Sequence, residues 1–591
     1  MAATSIYRLI WIILAGICLC GCTASQPLPA PASGGPDLNL GYEGKLDTLG
    51  HPTEWFLAPA SGTITVVNGP GQSYDGDHCL LFSSRAGGPT VRNVCFNSLL
   101  VDMVRDSITL SAMVRATGDV SLRYGFFHQM EGRNSALEPV FTELPTTDDS
   151  TTWQQHTLTL SSDELLDYSL TFGFWTAGNG RVWLDDWKLR VDGESLEEAT
   201  QAYVPPLDDR ALTYLQEQVH PLHLDGSDQL TDPTALTKLV GGAEVVLLGE
   251  VTHGTKEFLQ YRAAITRHLV EQLGFTAVLL EASLPELDRF NAALNQDLRY
   301  EALKEHINED LNFWMYRTND YVTFFRWLEQ HNATAAQPVT IGGIDMQYPG
   351  YALDRLATFA QDTKDDALLE LIDSLRQPGL LPDSAVVRAD RLVKQVEGIL
   401  LASATPPVAP PEATRLYRYA EVARWALNWR YRQTPYADYR DQQMADNIRW
   451  WQQRTPNRKV IVWAHNEHIR RSRGGAGYHL DRLRTDPGIV AIGLTTGRGN
   501  YRALQLTDRS LQNAPLKAPT PDTWEYAFAQ TGVNNFLLDL RDTASPLRHY
   551  TTRRMRALGA VATPKQFFPD TLTAKFDAIL YLDSSSTTVP Y

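Results

Sequence analysis

Near Tyr203-Val204-Pro205-Pro206 the chain changes texture, and that change limits its possible folds more than any other feature. Upstream, from about residue 40 to 191, short runs at 63–68, 108–115, 121–127, 154–160 and 169–174 are bounded by Gly, Asp, Asn and Ser. Short strands at that spacing predict a β-sandwich. Downstream, long helical patterns alternate with apolar runs at 243–250, 275–281, 338–345, 459–465, 488–495, 535–540 and 578–583. That alternation predicts an α/β domain with a central sheet and flanking helices. At 591 residues the chain is too long for one core, since single domains usually stop near ~250 residues. The expected fold is therefore multidomain, with a β-sandwich at 42–195 and an α/β domain at 205–591. Within the second, a helical insertion at 353–451 is broken by Pro406-Pro407 and Pro410-Pro411, and is expected to form a lid over the strand edge.

The first residues belong to neither body. Arg8 is the only charge before an almost unbroken apolar run from Leu9 to Cys20, too short to span a bilayer and suited to a signal peptide. Leu19-Cys20-Gly21-Cys22 resembles a bacterial lipobox, which makes Cys22 the expected lipidated residue and 1–22 the expected lipoprotein signal. Residues 23–41, rich in Pro, Ala, Gly and Ser, read as a flexible tether. The expected location is thus the bacterial envelope, periplasmic or at the cell surface, with the membrane reached through the N-terminal lipid. Five cysteines leave Cys79 and Cys95 beyond this region, either as a disulfide or as two small buried residues. The net charge of −16 argues against a nucleic-acid partner, which would require a basic face. Residues 181–189, Arg-Val-Trp-Leu-Asp-Asp-Trp-Lys-Leu, are similar to the last strand of jelly-roll modules of the carbohydrate-binding type. A glycan is accordingly a possible partner of the sandwich.

The chemistry is expected where the strands of the α/β domain end, because open α/β sheets bind ligands at their carboxyl edge. The first strand runs into Glu250 and then His253, the second ends in Glu281, the third in Asp345, and the fourth in His465-Asn466-Glu467-His468. Apolar strands delivering a carboxylate with a histidine, twice, favour function over incidental loop polarity. Gly-x-Ser-x-Gly, dinucleotide and phosphate-loop motifs are absent, and neither Cys79 nor Cys95 lies in this domain. Histidine with carboxylate suits general-base activation of water. No cofactor is required by that reading. A divalent metal held by His465, His468 and Glu250, Glu281 or His253 is the rival, although His-Asn-Glu-His matches zinc-binding helices only loosely.

The segment Gly249-Glu250-Val251-Thr252-His253-Gly254-Thr255-Lys256-Glu257-Phe258 resembles the signature of the erythromycin esterase family. The likeness continues through Gly274–Ala282, Gly343-Ile344-Asp345, Arg440–Asn447, Trp463–His468 and Phe576–Asp583. The resemblance implies that His253 is the water-activating base, Glu250 its companion carboxylate and Glu281 a second acid. It also implies roles for Arg262 and for the later pair His465 and His468, with Asp345, Arg440 and Asp441 as expected substrate contacts. The resemblance implies hydrolysis of the macrolactone ester of erythromycin-type antibiotics without a required metal. A small-molecule ester or lactone is the implied substrate, the sandwich and lipid anchor being departures from the soluble enzymes. Two alternatives stand beside it: a metal-dependent hydrolase of another bond, such as an amide, and a non-catalytic surface glycan-binding lipoprotein.

Overall fold

Successive residues of a strand point to opposite faces, and in the α/β domain both faces are apolar. Val245 and Leu247 face one hydrophobic core with Ala277, Leu279, Val460 and Val462. Val246 and Leu248 face a second core with Val278, Leu280, Ile461 and Trp463. A sheet buried on both sides follows, with helices covering each face. The computed structural model describes residues 40–591 except 45, 47–51, 53–54, 58–62, 69–70, 84–90, 101–103, 130–139, 145–151, 163–168, 197, 200–206, 295–298, 378–379, 403–409, 433–435, 482–487, 506–508, 551–552 and 563–565. The expected signal, lipobox and Cys22 lie outside the described residues.

The sheet contains β1 (His220–Pro221), β2 (Val245–Leu248), β3 (Ala277–Ser283), β4 (Thr340–Asp345), β5 (Val460–Trp463), β6 (Ile489–Gln505), β7 (Asn535–Asp539) and β8 (Ala578–Ser585). Their spatial order is β1-β7-β8-β6-β2-β5-β3-β4. The run from β8 to β4 is parallel, β7 pairs antiparallel to β8, and β1 pairs antiparallel to β7. Chain order is thus scrambled in space. The strand that carries the later histidines, β5, lies between β2 and β3, which carry Glu250 and Glu281.

Three helical stretches matter for the site. Helix α1 (Lys256–Leu273) follows β2 and ends at Gly274, whose φ of 72° is the left-handed conformation that closes helices. Helix α2 (Leu284–Leu294) leaves β3 directly, and α3 (Tyr300–Asp310) and α4 (Asn319–Asn332) follow. Between β4 and β5 lie α5 (Gly350–Thr363), α6 (Asp366–Arg376), α7 (Pro382–Ala402), α8 (Pro410–Arg432) and α9 (Tyr436–Gln452). Trp425, Trp429, Trp450 and Trp451 all join the core beneath these helices. The Trp451 ring occupies the space a Cβ at Gly342 would need, and its Nε1 donates to Gly343 O at 3.0 Å.

In the N-terminal region every pairing among the described strands is antiparallel. Here the structure departs from the expected boundaries. The runs 108–115 and 121–127 belong to one strand, Ser107–Gln129, and 169–174 is continuous with 181–189 in Ser169–Val191. The two long strands pair with Gly118 opposite Gly180, and a Cβ on Gly118 would stand 2.7 Å from Asn179 O. Glycines that read as turn signals therefore serve close backbone approach. The cysteine pairing is also corrected. Cys79 is a free, buried thiol whose Sγ–H meets Gln72 O. Cys95 pairs opposite Phe172, whereas Leu80, next to Cys79, pairs opposite Leu184, so the two cysteines meet the shared strand at separate places.

Candidate active site

Beyond β2 the chain turns sharply because Gly249 and Gly254 leave no room for side chains. A Cβ at Gly249 would meet the Asn466 amide, and one at Gly254 the Arg502 carbonyl. Gly254 O accepts from both Arg502 N and Thr588 N at 3.0 Å, which fixes the loop between them. Thr255 is the N-cap residue of α1 but its side chain makes no capping bond; its hydroxyl pairs with Thr252 at 2.5 Å instead.

That loop presents Glu250 and His253. One Glu250 oxygen lies 2.9 Å from His253 Nδ1, and the other accepts from the Arg262 guanidinium at 2.5 Å. Arg262 itself lies on α1, 2% exposed, with its guanidinium 4.8 Å from the Trp463 ring centre. Burial alone would raise the Glu250 carboxyl; Arg262, and then His253, outweigh it and hold it below its ordinary value. An ionised Glu250 fixes the Nδ1–H tautomer of His253 and leaves Nε2 as a lone-pair base. Among the described residues no hydrogen bond occupies Nε2.

A second cluster faces the other core. Asp345, at the end of β4, accepts from Arg440 Nε at 3.0 Å and Nη2 at 2.7 Å, a two-pronged grip. Arg440 Nη2 also donates to Glu281 Oε1 at 2.9 Å. His468 lies between Asp441 Oδ1, 2.8 Å from Nδ1, and Glu281 Oε1, 3.3 Å from Nε2. Arg440 Nη1 stands 2.9 Å from the same Nε2. That contact favours a neutral ring as acceptor, but Asp441 and Glu281 flank the ring itself and favour a cationic one, and charge prevails. Burial opposes the charged form, yet Asp441 and then Glu281 raise the His468 pKa to about 10. Glu281, also opposed by burial, is held well below the usual carboxylate range by His468 and Arg440.

His465 joins the two clusters. Its backbone N–H donates to Glu281 Oε2 at 2.9 Å, and Asn466 N donates to Glu250 O at 2.9 Å. The His465 ring is fully engaged: Nδ1 accepts from Glu467 N, and Nε2–H faces the carbonyls of Val251 and Leu558. Burial pushes its pKa down to about 4, so the ring is neutral.

The structure thus brings together Glu250, His253, Arg262, Glu281, Asp345, Arg440, Asp441, His465 and His468 at one edge. Arg440 engages Glu281 and Asp345, Asp441 engages His468, and Arg262 engages Glu250. Only His253 and His468, with side chains 12% and 13% exposed, reach solvent appreciably; Glu250, Arg262, Glu281, Arg440 and Asp441 are all at 7% or below. Sequence reasoning missed Tyr316, whose hydroxyl donates to Glu281 O at 2.9 Å, Tyr321 beside Arg262, and the buried Glu286. For Glu286 there was a signal, since Ser283-Leu284-Pro285-Glu286 follows directly on the strand carrying Glu281. Among the described residues no three His, Cys, Asp or Glu side chains are placed to hold a metal ion.

The erythromycin esterase family model matches residues 270–585, which contain Glu281, Asp345, Arg440, Asp441, His465 and His468. Glu250, His253 and Arg262 precede that stretch. The type II erythromycin esterase of Escherichia coli is 25% identical over 375 residues, covering 54% of this chain and 86% of its own. The type I enzyme of the same organism is 24% identical over 405 residues, covering 59% and 93%. A solved structure of a mutant erythromycin esterase in its open conformation superposes with a TM-score of 0.50 at 21% identity, covering 63% of this chain and 96% of that one.

Proposed function

The chain belongs to the erythromycin esterase family, and on that premise we propose that it is a hydrolase cleaving an ester or lactone with water activated by His253. The observation that carries the proposal is the Glu250–His253 pair: a buried carboxylate fixes Nδ1–H, and the free Nε2 sits at the solvent-reaching edge. In this mechanism His253 Nε2 takes a proton from water as the oxygen bonds to the carbonyl carbon. The tetrahedral oxyanion forms near the His468 imidazolium, which stabilises the negative charge. Collapse breaks the ester C–O bond, and the departing alkoxide takes the proton from His253, which returns to its neutral form. Arg262 keeps Glu250 ionised from behind, and Arg440 holds Glu281 and His468 in register. Asp345 and Asp441 hold Arg440 and His468 in turn, so their contribution to substrate binding is indirect.

A macrolide is the first substrate class to try, because relatives at 24–25% identity carry that activity in their names. We further propose that Cys22 is acylated and tethers the enzyme to the envelope, a reading supported by Leu19-Cys20-Gly21-Cys22. A panel of macrolides, simple lactones and aryl esters, assayed on wild-type protein and His253→Ala, tests the hydrolase reading. Turnover of none of them by wild-type protein, or equal turnover by a folded His253→Ala, would overturn it.

A further inference from the structure

Just past Glu281, in the first turn of α2, stands a carboxyl that the proposed chemistry does not use. Glu286 is wholly buried. Ser283-Leu284-Pro285-Glu286 has the spacing of a capping box, in which the two side chains satisfy each other's backbone. Here Ser283 Oγ and Glu286 Oε2 are both buried without a hydrogen-bond partner among the described residues. Glu286 Oε1 turns instead to the side-chain amide of Asn312, a neutral donor.

The surrounding charges do not compensate a carboxylate. On α2, Arg289 is engaged by Asp310 at 2.6 Å and lies 3.8 Å from Glu309. From α8, Arg415 reaches Asp288 and Tyr419 donates to the same carboxyl. On α9, Arg440 is taken by Asp345 and Glu281. Tyr348 and, on α5, Tyr351 complete the surroundings, their own ionisation opposed by burial and then by nearby carboxylates. His306 pairs with Asp310 rather than with Glu286. The negative neighbours Asp345 and Asp310 thus face a buried carboxyl whose donors are the side-chain amide and the backbone N–H of Asn312, both neutral, a setting in which the neutral acid is the stable form. Burial pushes the Glu286 carboxyl up, the two bonds from Asn312 offset part of that rise, and Asp345 and Asp310 add to it, to about 8.

We propose that Glu286 is a positioning residue for the hydrolysis: as a neutral acid beside Asp345 it leaves that carboxylate to grip Arg440, and its ionisation loosens Arg440 and with it Glu281 and His468. The inference rests on the hydrolase reading.

The test compares wild type with Glu286→Gln, an isostere of the neutral acid, and Glu286→Met, an apolar one. Melting transitions and kcat and KM profiles are measured from pH 5 to 10. The folded state keeps a proton that the unfolded chain releases near ~4.3, so wild-type stability declines relative to Glu286→Gln as pH rises toward about 8. Glu286→Gln therefore melts with wild type at pH 5 and above it at pH 9. Wild-type kcat falls ~10-fold per pH unit above about 8. In Glu286→Gln that alkaline limb moves toward about 10, where His468 loses its proton, with KM unchanged. An active wild type whose alkaline limb is shared by a folded Glu286→Gln overturns the inference and leaves the hydrolase reading intact. Both variants melting below wild type at pH 9 overturns it as well, since the carboxylate would then be the required form. A wild type inactive on every ester sinks the hydrolase reading, and the positioning role falls with it.

Discussion

His253 and His465 stand with their ring centroids 5.3 Å apart, yet their surroundings give them opposite capacities. The ring nitrogens of His465 are tied to backbone groups, and its imidazole is held neutral. His253 has one nitrogen fixed by Glu250 and the other open. Losing a positioned general base typically removes ~10²–10⁴-fold of rate. His253→Ala is expected to lose turnover on that scale while keeping the wild-type melting transition, measured on the best ester found in the panel. His465→Ala is expected to lower the melting transition first, because it frees the Val251 and Leu558 carbonyls.

Glu250 and Arg262 form a buried pair, and each depends on the other. Breaking such a pair by removing one partner typically costs about 3–5 kcal/mol, because the remaining charge is left uncompensated. Glu250→Gln is therefore expected to destabilise the domain as well as slow it. Arg262→Lys is expected to fail for a different reason, since an ammonium cannot both reach Glu250 and lie flat on Trp463. Chemical denaturation of the two single variants and the double variant measures their coupling. Additive losses would show that the pair is not a unit.

Strands β2 to β8 of the α/β domain were legible because each contains an apolar run with a polar end, whereas β1 is only the two exposed residues His220–Pro221 and gave no such signal. The helical patterns between the strands were legible as well, α1 after β2 among them. The residues at the strand ends were legible for the same reason, since a carboxylate after a buried strand must meet the sheet's open edge. The charge partners were not legible. Arg440 reaches Asp345 and Glu281 from a helix at the far end of a long insertion, and nothing local in the sequence announces that pairing. The division of labour between His465 and His468 was equally hidden, because it depends on carbonyls of Val251 and Leu558 that lie far away in the chain. In the N-terminal region the error ran the other way. Gly118 and Gly180 read as turns and are instead facing positions in two continuous strands.

The two later histidines set opposite pH limits on folding. His465 is held neutral in the fold, with its pKa lowered to about 4. The stability it contributes is present above the unfolded histidine value of ~6.5 and is lost as pH falls toward about 4. His468 is raised to about 10, so its contribution is complete below ~6.5 and is lost as pH rises through about 10. A melting profile is therefore expected to fall on both sides of neutrality. In His468→Gln the loss of stability between pH 7 and 10 is expected to be shallower than in wild type. An identical alkaline slope in that variant would refute the charge assigned to His468.

The cations that compensate this edge are supplied by the protein. Arg262 neutralises Glu250, and Arg440 lies between Asp345 and Glu281, the carboxylates that a divalent metal would otherwise bridge. His468 adds a further positive charge against Asp441. A divalent ion entering here would have to displace a guanidinium that makes two or more hydrogen bonds, and it would be repelled by the imidazolium beside it. Turnover is therefore expected to be unchanged after prolonged dialysis against a strong chelator, and zinc or manganese added back is expected to have no stimulating effect. The measurement is kcat/KM on one ester before chelation, after it and after metal return. A loss of more than 10-fold that either ion reverses would show that the guanidinium arrangement is not the active one, and would favour the metal-dependent alternative.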